Sequence, residues 1–162
     1  MDGERPPSAA PRAEAAPETV ARVRVIYGDT DAMGIVYYGN YMRFLEVGRV
    51  EHLRALGKAY AEIEALGYQI PVAEVRLKYL RPARYDDVVE VRTRAEASRA
   101  AIRFDYRLVR TADGELLAKG FTRHACVDSA RGRAVRLPAV LAELFAARTD
   151  PAKERNASAC DR

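Results

Sequence analysis

The chain has 162 residues, of which 49% are hydrophobic and 31% charged, a composition typical of one globular domain with its own core. Its 27 basic and 23 acidic side chains leave a formal net charge of +4 with no block of Lys or Arg and no nucleic-acid-binding motif, so no nucleic-acid partner is expected. The two cysteines, Cys126 and Cys160, are too few for a disulfide framework and predict a cytoplasmic location.

The two ends of the chain differ in composition from its middle. Residues 1–20 are rich in Ala and Pro and lack the apolar segment of a secretory signal, so they are predicted to form a disordered tail. The polar residues 149–162 are predicted to form a second tail, and residues 21–148 to form one domain without internal repeats. The longest nearly apolar run, residues 137–147, contains Glu143 and is too short to cross a bilayer, so no membrane span is expected.

The first half of the domain is predicted to contain one strand and one long helix. Residues 23–27 alternate weakly, as a strand would, and a glycine-containing loop follows over residues 28–34. From about Tyr37, apolar side chains recur at helical spacing until a glycine ends the pattern at position 57. Gly48 lies inside that apolar stripe at a cost of roughly 1 kcal/mol relative to Ala, which indicates that another backbone packs closely there. Residues 61–66 add a short helical turn.

The second half is predicted to be a meander of four antiparallel strands followed by a helix. Apolar and charged residues alternate over residues 75–79, 89–95 and 102–108, and a longer strand is expected over residues 116–127. Turn residues separate these strands, and a closing helix is predicted near the end of the domain at residues 138–147. A sheet with one apolar face needs a cover, which the long helix provides. The predicted fold class is α+β, with an antiparallel sheet wrapped around one central helix.

Few residue patterns point to chemistry. The chain has no G-x-S-x-G, Gly-rich phosphate loop, H-E-x-x-H or C-x-x-C motif. A catalytic triad using Ser98 or Ser129, or a metal site using Asp29, Asp31 and a distant His, would need residues from separate segments to converge. The remaining feature is the acidic loop before the long helix. A carboxylate there could cap the helix, pair with an Arg, or act as base or nucleophile on a carbonyl held at the helix start.

Three segments of the sequence resemble the same protein family. They are GDTDAMGIVYYGNYMRFLE at residues 28–46, LKYLRPARYDDVVEV at residues 77–91 and HACVD at residues 124–128. Together they resemble the hotdog-fold acyl-CoA thioesterases of the 4-hydroxybenzoyl-CoA thioesterase type, and the likeness covers roughly residues 20–147. The resemblance implies a hotdog fold and hydrolysis of an acyl-CoA to free acid and coenzyme A, without a metal or cofactor.

The resemblance assigns roles to four positions near the helix start. Asp31, the second Asp of the D-x-D pair, would be the general base or nucleophile, and Asp29 would steady the loop. The backbone N–H of Tyr38 would bind the thioester oxygen, because a helix start offers unpaired donors to a developing oxyanion. Many relatives have His where this chain has Tyr38, so no proton transfer through that His is available. Glu46 would position substrate or water in the neighbouring subunit's site, or form a surface ion pair.

The substrate is expected to meet five further residues. Gly34 would let the loop turn tightly, Tyr37 would belong to the core or the pocket wall, and Asn40 would bridge the helix start and the loop. Arg99 falls where the resemblance places basic residues against coenzyme A phosphates, and Arg123 is a second candidate for that role. A solvated surface position is the alternative for both arginines.

The resemblance also implies a homodimer or homotetramer with sites at the subunit interface, which would cover an exposed edge strand. Two other functions stay open. A non-catalytic module that binds acyl-CoA or acyl carrier protein, or a scaffold in a cell-envelope complex, would need the pocket but not Asp31. A hotdog dehydratase or hydratase fits less well, because no His accompanies the Asp in the motif. His124, on a half-buried strand, is expected to be a core residue.

Overall fold

The computed structural model of the protein describes residues 17–146. Of the tails predicted at residues 1–20 and 149–162, the second and most of the first lie outside the described residues. The first strand begins at Thr19, inside the expected tail, and pairs there with Thr93. Because that pairing holds the backbone in a sheet, the last residues of the predicted N-terminal tail belong to the domain.

The described part contains one strand, two helices, six consecutive strands and a final helix, in that order. The strands are β1 (Thr19–Arg24), β2 (Tyr68–Gln69), β3 (Val72–Tyr79), β4 (Val88–Ala97), β5 (Ala101–Arg110), β6 (Leu116–Asp128) and β7 (Arg133–Val135). The helices are α1 (Tyr41–Ala55), α2 (Tyr60–Ala65) and α3 (Ala139–Phe145), and 3-10 turns occupy Tyr27–Asp29 and Tyr38–Asn40. None of these helices combines the length and the apolar character that a membrane crossing requires.

The predicted long helix is confirmed as α1, which packs its apolar stripe against the sheet. Its buried residues are Tyr41, Phe44, Leu45, Gly48, His52 and Leu53. The sheet contributes alternate side chains of β4 and β5, among them Val91 and Phe104, which are fully buried. The core therefore lies between one face of the sheet and one face of α1, which is the predicted α+β arrangement.

The close contact expected at Gly48 is present, but its partner is not a backbone. A Cβ on Gly48 would lie 2.6 Å from Thr93 Oγ1 and 2.6 Å from Val91 Cγ1. These two β-branched side chains of β4 fill the space that a larger residue would need. Glycine at this position therefore lets α1 approach the side chains of the sheet.

The predicted four-strand meander is wrong at its first connection. Strands β4, β5 and β6 are consecutive neighbours, but β3 pairs with β6 at the far edge of the sheet, not with β4. After β3, the N–H groups of Leu80 and Arg81 still donate to Leu117 of β6 at 2.8 and 3.0 Å. The chain then crosses to the other side, where Val25 N–H donates to Asp87 at 2.9 Å. A connection does separate β3 from β4, as the turn residues predicted, but a turn does not specify which strand β4 pairs with.

Candidate active site

The loop before α1 is anchored by Asp29, which is only 3% exposed. Arg43 Nη2 donates to both carboxylate oxygens of Asp29 at 2.5 and 2.7 Å, and Ile26 N–H donates to Oδ2 at 3.0 Å. The carbonyl oxygen of Asp29 accepts from Tyr37 N–H at 2.8 Å and from Asn40 Nδ2 at 3.0 Å. The loop and the start of the helix are therefore tied together through one residue, and Arg43 is a part of this site that the sequence analysis missed.

Asp31 has a different environment, half-exposed at the surface of the loop. Its Oδ1 accepts from Met33 N–H at 2.8 Å, and its carbonyl oxygen accepts from Gly34 N–H at 2.9 Å. Gly34 has φ +70°, the left-handed conformation that this tight turn needs and that glycine adopts without strain. No Lys or Arg within residues 17–146 pairs with Asp31. The sequence analysis allowed an acidic residue of this loop to pair with an arginine. Among the described residues, Asp29 does so and Asp31 does not.

Asp31 and Tyr38 line the same cleft, of about 340 Å³. Its other walls are mostly apolar or aromatic, comprising Met33, Ile35, Val36, Tyr41, Tyr79, Leu80, Arg81 and Pro82. Tyr38 begins the 3-10 turn that leads into α1, and its N–H has no acceptor in the described part of the chain. Tyr79 Oη donates to Tyr38 O at 3.0 Å and holds this residue in place. Asp31 and a residue with an unpaired backbone N–H therefore border one mostly apolar cleft.

The neighbouring residues Tyr37 and Asn40 have supporting positions. The Tyr37 ring packs on the Tyr38 ring with centroids 4.5 Å apart, and a hydrogen bond between the two raises the pKa of the Tyr37 phenol. A Cβ on Gly39 would lie 2.7 Å from the Tyr37 ring, so glycine there makes room for it. Asn40 bridges the helix start to the loop, as expected, through its bond to Asp29. Tyr37 is not among the residues that line the Asp31 cleft of a single subunit.

Three other predicted site residues lie elsewhere in the single subunit. Exposed Glu46 borders a second cleft, of about 420 Å³, between α1 and β3, and it makes no ion pair in the described part of the chain. Arg99 borders a hollow of about 480 Å³ near α3. Arg123 is exposed on β6 and pairs with Glu74 at 3.5 Å. One subunit alone therefore brings together Asp31 and Tyr38, but not these three.

Buried His124 belongs to a string of hydrogen bonds in the core. Its Nδ1 lies 3.0 Å from Ile70 O, and its Nε2 lies 2.8 Å from Thr122 Oγ1, which in turn lies 3.0 Å from Tyr106 Oη. Since a carbonyl only accepts, Nδ1 carries the proton, and Nε2 then accepts from Thr122. Burial lowers the pKa of His124 to about 4 and raises that of Tyr106 to about 12. His124 is therefore a neutral core histidine with both ring nitrogens satisfied.

The residues considered for a catalytic triad or a metal site do not come together within residues 17–146. Ser98 Oγ donates to Ala101 O at 3.0 Å in the β4–β5 turn, and His52 Nδ1 bonds to Thr19 Oγ1 at 2.9 Å, so neither forms a Ser–His pair. No three His, Cys, Asp or Glu side chains converge as metal ligands within residues 17–146. The loop and the helix start remain the candidate active site.

Comparison with known proteins shows the family of the chain. Residues 25–145 match the family described as the thioesterase-like superfamily. The chain belongs to this family. One relative is the acyl-CoA thioesterase YbgC of Haemophilus influenzae, which is 35% identical over 120 residues. The aligned part is 72% of this chain and 85% of the relative.

Solved structures confirm the hotdog fold. The crystal structure of the hypothetical protein TT1821 from Thermus thermophilus is 43% identical, with a TM-score of 0.73 over 79% of this chain and 95% of that one. A mutant 4-hydroxybenzoyl CoA thioesterase in complex with 4-hydroxybenzoyl CoA is 25% identical, with a TM-score of 0.71 over 80% of this chain and 99% of that one. The family resemblance inferred from residues 28–46, 77–91 and 124–128 is thereby confirmed, and the chain is a thioesterase-family enzyme.

Proposed function

We propose that this thioesterase-like protein hydrolyses acyl-CoA to free acid and coenzyme A, with Asp31 and the Tyr38 N–H as its reacting groups. The observation that carries the proposal is the mostly apolar cleft lined by both Asp31, whose carboxylate has one oxygen without a partner in the described part of the chain, and Tyr38, whose backbone N–H has no acceptor there. Relatives that cover most of this chain are named as acyl-CoA thioesterases, which supports the same reaction.

The start of the helix is suited to bind the thioester carbonyl oxygen. When water or a carboxylate attacks the carbonyl carbon, negative charge develops on that oxygen. The Tyr38 N–H is unpaired at the beginning of a helical segment, where the aligned peptide dipoles add a partial positive charge. One such preorganised donor contributes about 3 kcal/mol to lowering the barrier. The residue needs only a backbone N–H for this role, so Tyr in place of His is compatible with it.

Asp31 is held so that one carboxylate oxygen stays available. Met33 N–H occupies Oδ1, which leaves Oδ2 without a partner in the described part of the chain. As a base, Oδ2 takes a proton from water while the water oxygen bonds to the carbonyl carbon; the intermediate then collapses, and the C–S bond breaks to release the thiolate. As a nucleophile, Oδ2 forms a mixed anhydride with release of the thiolate, and water hydrolyses the anhydride. Both routes need this side chain ionised and accessible.

Two copies of the chain are proposed to complete the site. Strand β3 pairs only with β6 in the described structure and exposes Val72, Val75 and Tyr79. Tyr79 borders the Asp31 cleft, whereas Val72 and Val75 border the Glu46 cleft.

Antiparallel pairing of β3 with β3 of a second copy would place the end of one strand beside the beginning of the other. The Asp31 cleft of each copy would then meet the Glu46 cleft of its neighbour. Glu46 is accordingly proposed to position substrate or water across a dimer interface, and two dimers to form a tetramer. Arg99 and Arg123 are proposed to contact the phosphates of coenzyme A, Tyr37 and Gly34 to shape the entrance, and the enzyme to act in the cytoplasm.

The test is thiol release from acyl-CoA by wild-type protein and by the Asp31→Asn variant. Asparagine keeps the shape and the Met33 contact but supplies no negative charge, so kcat is expected to fall at least about 100-fold while KM changes little. Asp113→Asn, in the exposed β5–β6 turn, is the matched control and should retain activity. An Asp31→Asn variant with most of its kcat would remove Asp31 from the mechanism.

The substrate panel should include short, long and aromatic acyl-CoAs and an acylated carrier protein as a second kind of donor. Preferential turnover of one of these would name the acyl group and the carrier. Binding of every acyl-CoA without thiol release would instead support a non-catalytic binding or scaffold protein. Hydration of an enoyl-CoA without thiol release would support a hydratase.

A further inference from the structure

The outer face of the sheet, turned away from α1, carries a line of four cations. The register places Lys78 of β3, Lys119 of β6, Arg107 of β5 and Arg92 of β4 directly opposite one another in that order. They are called the cationic row below. The inward neighbours of the row on β4 and β5, such as Val91 and Leu108, are buried, whereas on the edge strand β3 Leu77 is half-buried and Tyr79 exposed. The four cations border one hollow of about 630 Å³. The row therefore crosses four strands on the surface opposite to the core.

An uninterrupted row of like charges is unfavourable in a sheet, because directly opposed side chains of equal charge repel each other. A row four residues further along the same face, Glu96, Arg103, Arg123, Glu74, has a carboxylate at each end opposite an arginine and carries two charges of each sign. The cationic row has no such compensation: Lys78, Lys119 and Arg107 make no ion pair within residues 17–146. Arg92 pairs with Glu90 at 2.9 Å, but its Nε is buried without an acceptor. The three exposed cations Lys78, Lys119 and Arg107 are therefore available to an anionic partner.

From this arrangement, we propose that the cationic row docks an acidic α-helix of a partner protein, lying across the strands. Neighbouring strands are about 4.8 Å apart, so the row spans about 14 Å. An α-helix presents one side chain per turn on a given face, about 5.4 Å apart, so four carboxylates span about 16 Å. Flexible Lys and Arg side chains absorb the difference. Same-face side chains of an extended peptide are about 6.7 Å apart and would span about 20 Å, which matches the row less well.

The residues around the cationic row favour a narrow anionic partner, such as one face of a helix, over a broad anionic surface, such as a duplex or a bilayer. Asp105 and Glu18 border the same hollow on one side of the row, paired with Arg103 and Arg94 respectively, and Glu90 lies on the other side, paired with Arg22 and Arg92. These arginines are already engaged by carboxylates, so the cations of the hollow that have no ion pair within residues 17–146 are concentrated in the row and suit a narrow anionic partner better than a duplex or a bilayer. Two aromatic residues border the hollow: Tyr106 is buried, and the Phe121 ring is occupied by the Arg103 guanidinium, 3.7 Å from the ring centroid, so neither offers a free platform for base stacking. One face of an acidic helix fits between the carboxylates.

The test uses a fluorescent peptide of about 18 residues with Glu once per helical turn on one face, and a second peptide of equal composition with the same Glu residues scattered around the helix. Binding to the full chain is measured by anisotropy at about 50 and 150 mM salt. Only the one-faced peptide is expected to bind well, and its affinity should fall with salt. Equal binding of both peptides, or of neither, would overturn the proposal.

The decisive variant is Arg107→Glu/Lys119→Glu, which reverses the middle of the row. It is expected to weaken peptide binding at least about ten-fold. The same change replaces repulsion by attraction in the two outer pairs, Lys78 with position 119 and Arg92 with position 107, while the central pair stays repulsive, so Tm should rise by about 2 °C. Neither residue lies in the Asp31 cleft, so thiol release should be unchanged and failure of this proposal is separable from failure of the proposed reaction.

Arg84→Glu/Arg133→Glu is the matched control, with the same change in net charge at exposed positions off this face. Its peptide affinity should stay within about two-fold of wild type. Equal loss in the control and the row variant would show a net-charge effect and would overturn the proposal. Tighter binding of a single-stranded oligonucleotide or of vesicles containing phosphatidylglycerol than of the one-faced peptide would also overturn it, in favour of that other class of partner.

Discussion

Asp29 and Asp31 are two residues apart, yet their carboxylates have opposite environments. Asp29 is buried and receives three hydrogen bonds, two of them from the Arg43 guanidinium. Only the Asp29 side of this ion pair is buried, and Arg43 is 48% exposed, so Arg43 stabilises the position of the loop by less than the roughly 3–5 kcal/mol expected of a fully buried pair. Asp31 receives one backbone hydrogen bond and stays half-exposed at the cleft. The first carboxylate is engaged by the fold through both oxygens, whereas the second keeps one oxygen without a partner in the described part of the chain.

The role proposed for Tyr38 depends on its backbone and not on its side chain. Tyr38→Phe keeps the N–H but removes the hydroxyl, so kcat for thiol release is expected to stay within about five-fold of wild type. Tyr38→Pro removes the donor and should lower kcat by about 10²–10³-fold. Circular dichroism and Tm of both variants serve as the folding control. Similar kcat values for folded Phe and Pro variants would exclude the oxyanion role.

At the scale of single elements, α1 illustrates what periodicity predicts. The apolar stripe predicted its buried face correctly, because the spacing of side chains on a helix depends only on helix geometry. Its beginning was predicted too early, at Tyr37, since residues Tyr38–Asn40 form a 3-10 turn before the α-helix begins at Tyr41. That turn depends on bonds from the helix start to Asp29, which lies in another segment. A pattern of apolar residues contains no information about such bonds.

The contact between α1 and β4 can be tested at Gly48. Gly48→Ala gains about 1 kcal/mol in helix propensity, but its methyl group would overlap Val91 and Thr93, and overpacking costs about 1–3 kcal/mol. Because two contacts would be as short as 2.6 Å, overpacking should outweigh the gain in helix propensity, and the free energy of unfolding is expected to fall by about 1–2 kcal/mol. Urea denaturation measures the change.

A double-mutant cycle with Val91→Ala separates overlap from other causes. Since the smaller residue on β4 makes room for the new methyl group, Gly48→Ala should be less destabilising in that background. An equal loss in both backgrounds would show that the space above Gly48 does not limit the packing of α1.

The strands show a second limit of local patterns. Strands β4, β5 and β6 were predicted from alternation and confirmed, whereas β2 and β7, of two and three residues, are too short to show a period. The first strand was expected at residues 23–27 but occupies Thr19–Arg24, because pairing with β4 determines where it begins. The edge position of β3 likewise follows from its pairing with β6 and not from its own residues.

For the molecule as a whole, buried His124 predicts how stability depends on pH. Its pKa is about 4 in the folded chain against 6.5 for an unperturbed His, so the unfolded chain binds the proton first. Its contribution to stability is present above pH 6.5 and is lost as pH falls toward 4. The loss amounts to about 2 kcal/mol once partial screening of the ring is allowed for.

Urea denaturation between pH 7 and 4 measures this loss in wild type and in His124→Gln. Glutamine does not titrate, so the variant should show a smaller decrease in unfolding free energy over that range, whatever its stability at pH 7. His52, whose pKa burial also lowers, remains in both proteins and accounts for a shared residual slope. Parallel pH profiles would assign the dependence to groups other than His124.

The sequence by itself determined the α+β class, the buried face of the central helix, and the motif that identifies the family. These depend on side-chain spacing and on a contiguous run of residues, both of which are local. Only the tertiary structure decided which Asp is paired with Arg43, which strand occupies the exposed edge, and which cations line up across β3, β6, β5 and β4. Those features depend on hydrogen bonds and strand register between distant segments, and the energies of such contacts exist only once the chain has folded.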